Sequence, residues 1–166
     1  SCLVIAVTDG EASHKNTPNH DPLQLKTQRQ YESDAGLRCL GVPTSAVVRL
    51  SLPDGGVSMC GVRLIQRLQA LLKPDDVVIT TWRLDGHPDH EACGMAVSAV
   101  CEDMGALLLE APVWMWHWAT TADKQVNWSY LKAWPMDQLS MARKLKALAE
   151  HRSQLSERPG RWPPVL

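Results

Sequence analysis

Apolar runs alternate with amphipathic stretches along the chain. LVIAV at 3–7 is continuous and rich in branched residues, which predicts a first strand. The segment TDGEASHKNTPNH after it has no apolar period and reads as a polar loop that leaves His14 and His20 solvated. Asp21-Pro22 places an N-cap residue before a proline at the first helical position, so a helix is predicted from there to about Leu40, stopped by Gly41. Ala46–Leu52 reads as a second strand, with PDGG as a turn after it. Val62, Ile65, Leu68 and Leu72 recur at helical spacing and predict a helix over about 58–72. Val77–Thr81 is a third strand, followed by a helix from about Asp89 to Met104. Leu107–Leu109 and Pro112–Ala119 read as further strand material. Lys124–Trp134 reads as part helix, Asp137 caps a long amphipathic helix to about Leu155, and 156–166 is an irregular tail.

Strands alternating with helical stretches predict an α/β domain with a largely parallel sheet. A length of 166 residues with 45% hydrophobic content supplies one core, and with no repeat or linker the expectation is a single domain over 1–166. In open α/β sheets, ligands bind beyond the carboxyl ends of the strands. TDGEASH, WRLDGHPDH and His117 all fall at such ends, so these three features are expected to converge on one edge.

Composition narrows the function classes. The net charge is −1 with no basic block or stripe, which argues against a nucleic-acid partner. No apolar run is long enough for a membrane span. The five cysteines are scattered and odd in number, and no C-x-x-C occurs. They are expected to be free thiols in a reducing, cytoplasmic compartment, mostly as small core residues. The opening SCLVIAV starts inside a strand-like run, which suggests further sequence upstream.

Chemistry concentrates in LDGHPDHEACG at 84–94. His87 and His90 lie three apart at a turn entering a helix. Catalytic zinc takes three protein ligands plus water, and imidazole is a good ligand. In such a site one histidine coordinates while another polarises the substrate or moves a proton, and a nearby carboxylate fixes a tautomer. Four residues of H-x-x-H fit equally a helix N-terminus where Asp89 caps the backbone and the histidines are simply exposed.

TDGEAS at 8–13, DGHPDHEA at 85–92, Arg29-x-x-Glu32 and CLGV at 39–42 together resemble the PIG-L/LmbE-type N-deacetylases, over residues 1 to about 119. The resemblance implies a Rossmann-like three-layer fold, zinc as cofactor, and hydrolysis of an N-acetyl group on an N-acetylglucosamine-type sugar or related amide. It implies His90 as a zinc ligand, His87 as the residue supporting the oxyanion, and Asp89 as the group that orients His87. That family's P-H-P-D-D-E motif, which supplies the other zinc ligands and the general base, has no counterpart in these 166 residues, so the metal site is incomplete here.

Other residues carry two readings each. Asp9 and Glu11 match the resemblance as substrate contacts, or cap a loop. Arg83 meets a substrate hydroxyl or phosphate, or pairs with Asp85, itself a candidate substrate contact. Arg29 and Glu32 fit an ordinary i, i+3 surface pair. Strand alternation over 113–118 sets Trp114, Trp116 and Trp118 on one face and Val113, Met115 and His117 on the other; His117 is buried and hydrogen-bonded, or lines a pocket. Three functions follow: a zinc-dependent N-deacetylase, a non-catalytic glycan- or partner-binding relative, or another metal-assisted hydrolase such as a phosphoesterase.

Overall fold

A computed structural model describes residues 1–13 and 21–155; His14, His20 and the tail from 156 lie outside the described residues. The chain divides into two compact units, Ser1–Asp54 with residues from Trp134 onward, and Gly55–Ala133.

The first unit is built on β1 (Val4–Ala6), α1 (Pro22–Cys39) and β2 (Val47–Arg49), with β1 and β2 parallel and Val4 opposite Val47. Both strands are shorter than their apolar runs. A 3₁₀ turn over Thr44–Ala46 precedes β2, and Ser51 takes φ 48, which breaks the extended backbone. Pairing nevertheless persists, as Leu50 N–H donates to Ala6 O and Leu52 N–H to Val7 O. Asp21 caps α1 as expected, accepting from Leu23 N and Gln24 N. The helix closes with Gly41 at φ +83, Gly41 N–H on Arg38 O and Val42 N–H on Leu37 O, the paired bonds of a Schellman end.

The buried face of α1 is Leu25, Arg29, Glu32 and Gly36. Arg29 and Glu32 are therefore not the surface pair their spacing suggested. Arg29 Nη1 donates to Gly10 O at 2.7 Å. Glu32 accepts from Ser153 N at 3.0 Å and Ser153 Oγ at 2.6 Å. The last helix is not continuous to Leu155. It is two pieces, α4 (Gln138–Ala149) and α5 (Arg152–Leu155), and Ser153 gives its N–H to Glu32 rather than up the helix axis.

In the second unit a 3₁₀ turn (Val57–Cys60) leads into α2 (Gly61–Leu71), then β3 (Val77–Thr81), α3 (Pro88–Met104) and β4 (Leu107–Ala111). β3 and β4 are parallel, from Val77 opposite Leu107 to Thr81 opposite Ala111. Each unit thus holds a parallel strand pair joined through a helix, which bears out the α/β class. The core beneath α3 gathers Val57, Leu64, Leu68, Val97, Val100 and Met115. Gly94 lets the helix lie on the strand end, since a Cβ there would stand 2.7 Å from Thr81 O.

Residues 112–119 do not form the expected strand; Trp114–His117 is a 3₁₀ turn. In Lys124–Trp134 the helical part is a 3₁₀ turn over Trp128–Tyr130. All five cysteines are free; Cys101 is fully buried, Cys39, Cys60 and Cys93 are half-buried and Cys2 is exposed, against the expectation that most would be core. No helix among the described residues is long and apolar enough to cross a membrane.

Candidate active site

The site forms where β3 gives way to α3. Asp85 N–H donates to Trp82 O and closes a turn, and Gly86 follows with φ +84, a conformation glycine takes without strain. Gly86 N–H is held by Glu91 Oε1 at 3.0 Å. His87 is the N-cap of α3 and Pro88 its first helical residue. Thr81 Oγ1 donates to His90 O at 2.9 Å, which ties the first turn of α3 to the end of β3.

Asp85 organises everything above this turn. It is 0% exposed. Its oxygens accept from Val113 N at 2.8 Å, Trp114 N at 2.8 Å and Met115 N at 3.0 Å, and its Oδ2 lies 2.6 Å from His90 Nδ1. Its own carbonyl accepts from Trp118 Nε1 at 2.8 Å. This cluster explains the failed strand prediction for 112–119. Successive N–H groups of a strand point to opposite sides, so three in a row can meet one carboxylate only if the chain turns. Alternation therefore does not apply to Trp114, Trp116 and Trp118, and Met115 is buried while His117 is exposed.

Burial is the largest single influence on the Asp85 carboxyl and opposes its charge. The hydrogen bonds from His90 and from the backbone N–H groups of Trp114, Met115 and Val113 outweigh it, and the carboxyl is held below its ordinary value. An ionised carboxylate only accepts, so His90 carries its proton on Nδ1 and its Nε2 lone pair is left for a ligand in the neutral ring. His87 has the opposite arrangement. Its Nδ1 accepts from Asp89 N at 3.3 Å, which puts the proton of the neutral ring on Nε2. The two rings lie 4.4 Å apart between centroids.

Asp89 does hold His87, but through its main-chain N–H. Its carboxylate, expected to do this, accepts from Gly55 N at 2.6 Å and Val57 N at 3.1 Å and anchors the loop before α2. Arg83 does not pair with Asp85 either. It forms a fork with Glu110, with Nε to Oε1 at 2.9 Å and Nη2 to Oε2 at 2.8 Å, and gives Nη1 to Ser98 Oγ. In the first unit Asp9 is ringed by Lys26 Nζ at 3.2 Å, Arg49 Nη1 at 3.4 Å and Ser51 Oγ at 3.2 Å. Glu11 Oε1 accepts from Asp54 N while Asp54 Oδ2 accepts from Ala12 N, a reciprocal pair that closes their loops.

Within the second unit the structure brings together His90, His87, Trp114 and His117 as a line of rings. His87 and Trp114 meet edge to face at 5.6 Å and Trp114 and His117 lie 4.7 Å apart. A shallow apolar groove of about 410 Å³, lined by Pro88, Ala92, Met95 and Ile65 among others, lies on another side of α3. Rotation of 100° per residue turns positions 88, 92 and 95 away from position 90.

Parallel β–α–β units with paired His and Asp side chains beyond a strand end define an α/β protein with a polar site in the usual place for that class. The family model for PIG-L, described as GlcNAc-PI de-N-acetylase, matches residues 1–101, and the chain belongs to this family. Members are generally deacetylases or hydrolases. The match ends inside α3, short of the stretch to about 119 over which the motifs pointed to it, so the Trp114 turn lies beyond it. Neither the curated proteins nor the solved structures contain a match. Among the described residues no group of three or more His, Cys, Asp or Glu side chains is gathered in a way that would hold a metal ion.

Proposed function

We propose that the chain serves the hydrolysis of an N-acetyl group on an N-acetylglucosamine-type sugar, with zinc dependence entering through His90. The observation that carries this reading is the complementary hydrogen bonding of the two imidazoles, with a carboxylate on His90 Nδ1 and a main-chain N–H on His87 Nδ1. Asp85 prepares His90 Nε2 as a lone-pair donor, the arrangement in which a ligating histidine gives its other N–H to a carboxylate. Asp89 N–H leaves His87 Nε2–H as a hydrogen-bond donor. A donor fixed beside a prepared ligand atom suits an amide carbonyl whose oxygen gains negative charge during hydrolysis.

The described residues do not fit a zinc site by themselves, because catalytic zinc takes three protein ligands and His90 supplies one. No step is therefore assigned to the ion. What this chain's residues do is narrower. His87 donates to the substrate carbonyl and supports charge on it, Asp85 and Asp89 set the two rings, and His117 meets the substrate outside them. Asp9, Arg83 and Asp85 have their polar groups engaged by protein partners and Glu11 is held through Oε1, its Oε2 being buried and unpaired among the described residues; no substrate contact is proposed for these four. Both parallel pairs are the unit from which a Rossmann-like three-layer sheet is built, and that architecture is proposed for the domain. Free thiols throughout suit a cytoplasmic setting.

Acetate release from N-acetylglucosaminyl substrates, measured with and without added zinc alongside the metal content of the purified protein, tests the proposal. Turnover that rises with zinc and falls about a hundredfold or more in His87→Ala is expected. Zinc-replete protein that releases no acetate overturns the hydrolase reading, and saccharide binding without turnover would identify a glycan-binding relative. Turnover of phosphate esters alone would identify a phosphoesterase.

A further inference from the structure

Trp114 occupies a position that the reaction proposed above does not use. Its indole is 41% exposed, yet its setting is fixed. Its backbone N–H is held by Asp85 Oδ2, the same oxygen that holds His90. His87 stands edge-on to it at 5.6 Å and 68°, and His117 lies tilted against it at 4.7 Å and 47°. The neighbouring Trp116 is 63% exposed and gives its Nε1–H to Pro112 O, and Trp118 gives its Nε1–H to Asp85 O. Of the three tryptophans on this turn, Trp114 is the one whose ring meets both histidines.

We infer that Trp114, with His117 at its rim, is the saccharide wall of the site and sets its preference for a pyranose over other N-acetyl amides. This rests on the N-deacetylase reading. An exposed indole presents a flat apolar face that the C–H face of a pyranose covers, and such a residue contributes contact area at low conformational cost because two torsions orient it. His117, exposed and 4.7 Å from the ring between centroids, offers a hydrogen-bonding group to the hydroxyls of a stacked sugar. His87, which meets the indole edge-on, is the donor for the acetamido carbonyl. The order along the line is therefore ligand atom, carbonyl donor, stacking face and hydroxyl partner. Asp85 couples the first to the third, so the wall cannot drift relative to His90 without breaking a buried bond.

The experiment compares kcat/KM for an N-acetylglucosaminyl substrate and for an acyclic N-acetyl amine in the full chain, with Trp114→Ala, Trp114→Phe and the same-turn control Trp116→Ala. The expected result is a roughly tenfold or larger loss of the sugar-over-acyclic ratio in Trp114→Ala, carried by KM, with Trp114→Phe restoring most of it and Trp116→Ala leaving it in place. A ratio that Trp114→Ala does not change, or a parallel loss on both substrates, overturns the inference. Should the wild-type chain turn over neither substrate, the deacetylase reading fails on its own. Saturation-transfer NMR with N-acetylglucosamine then decides the wall separately. Transfer to the sugar that is lost in Trp114→Ala upholds it; no transfer, or transfer unaffected by the substitution, overturns it.

Discussion

Replacing Asp85 by alanine removes the acceptor for four hydrogen bonds at once. Three of the donors are backbone N–H groups, of Val113, Trp114 and Met115, and the fourth is His90 Nδ1–H. A buried donor left without a partner costs about 1–3 kcal/mol. The imidazole is half-exposed and recovers water, and the loop relaxes in part, so a loss of about 3–5 kcal/mol is expected, a large share of the roughly 5–15 kcal/mol that holds a domain. Asparagine discriminates further. With its oxygen in the place of Oδ1 it keeps Val113 and Met115, but its amide then faces Trp114 N–H and His90 Nδ1–H, donor against donor. Asp85→Asn should therefore fall between wild type and alanine in stability while losing the fixed tautomer of His90. The pH dependence has a definite direction. The folded carboxyl ionises below the value of about 3.9 usual for aspartate, so its stabilisation is complete above that pH and is lost as pH falls through the folded value. Urea unfolding followed by tryptophan fluorescence, at pH 7 and in steps down to pH 3, measures both effects. Wild type should lose stability on acidification more steeply than Asp85→Asn. An Asp85→Ala protein within about 0.5 kcal/mol of wild type at pH 7, the range of ordinary surface substitutions, would refute the reasoning.

Two further outcomes follow from the same unit. Gly94→Ala sets a Cβ 2.7 Å from Thr81 O and 2.8 Å from Arg83 N, backbone atoms that cannot swing aside, and should cost about 1–3 kcal/mol or more, read as a melting point lower by several degrees; an unchanged melting point would mean α3 does not lie on the strand end this closely. Burial, with a smaller contribution from the Asp89 charge, pushes the Cys93 thiol up to about 11. Its thiolate fraction at pH 8 is then about a hundredth or less of that of an ordinary thiol, so mass spectrometry after brief alkylation should find Cys2 labelled and Cys93 spared, and equal labelling would contradict the burial.

The elements that the chain announced are those written in local chemistry. Asp21-Pro22 and Gly41 mark the ends of α1, and the β-branched run Val77–Thr81 is β3 to the residue. The pairing of His87 with His90 was legible too, because a helix N-cap and its first turn are adjacent in sequence. What was not legible depends on bonds between distant residues. A buried charged face on α1 leaves no apolar period, so Arg29 and Glu32 read as surface. The first turn of α5, just past the break from α4, is held by a carboxylate 121 positions earlier. The role exchanged between Asp85 and Asp89 belongs to the same class. Both are acidic, both flank the histidines, and only the fold decides which carboxylate faces a ring and which faces a loop.

That exchange changes how the motif works. Had Asp89 held His87 Nδ1 through its carboxylate, that nitrogen would have to carry a proton, and Nε2 would be the lone pair of the neutral ring. A main-chain N–H on Nδ1 instead selects a tautomer, because it occupies that lone pair and leaves the proton of the neutral ring on Nε2. In the proposed site His87 thus presents Nε2–H as its donor, while the negative charge of Asp85 lies against His90 Nδ1, where it strengthens the lone pair offered at Nε2. The two histidines are separated in role by three residues of helix and two kinds of acceptor. The Trp114 turn is the remaining consequence, because a carboxylate buried to serve His90 needs further donors, and the backbone of residues 113–115 supplies them. Satisfying that one charge is what brings an exposed indole beside the histidines.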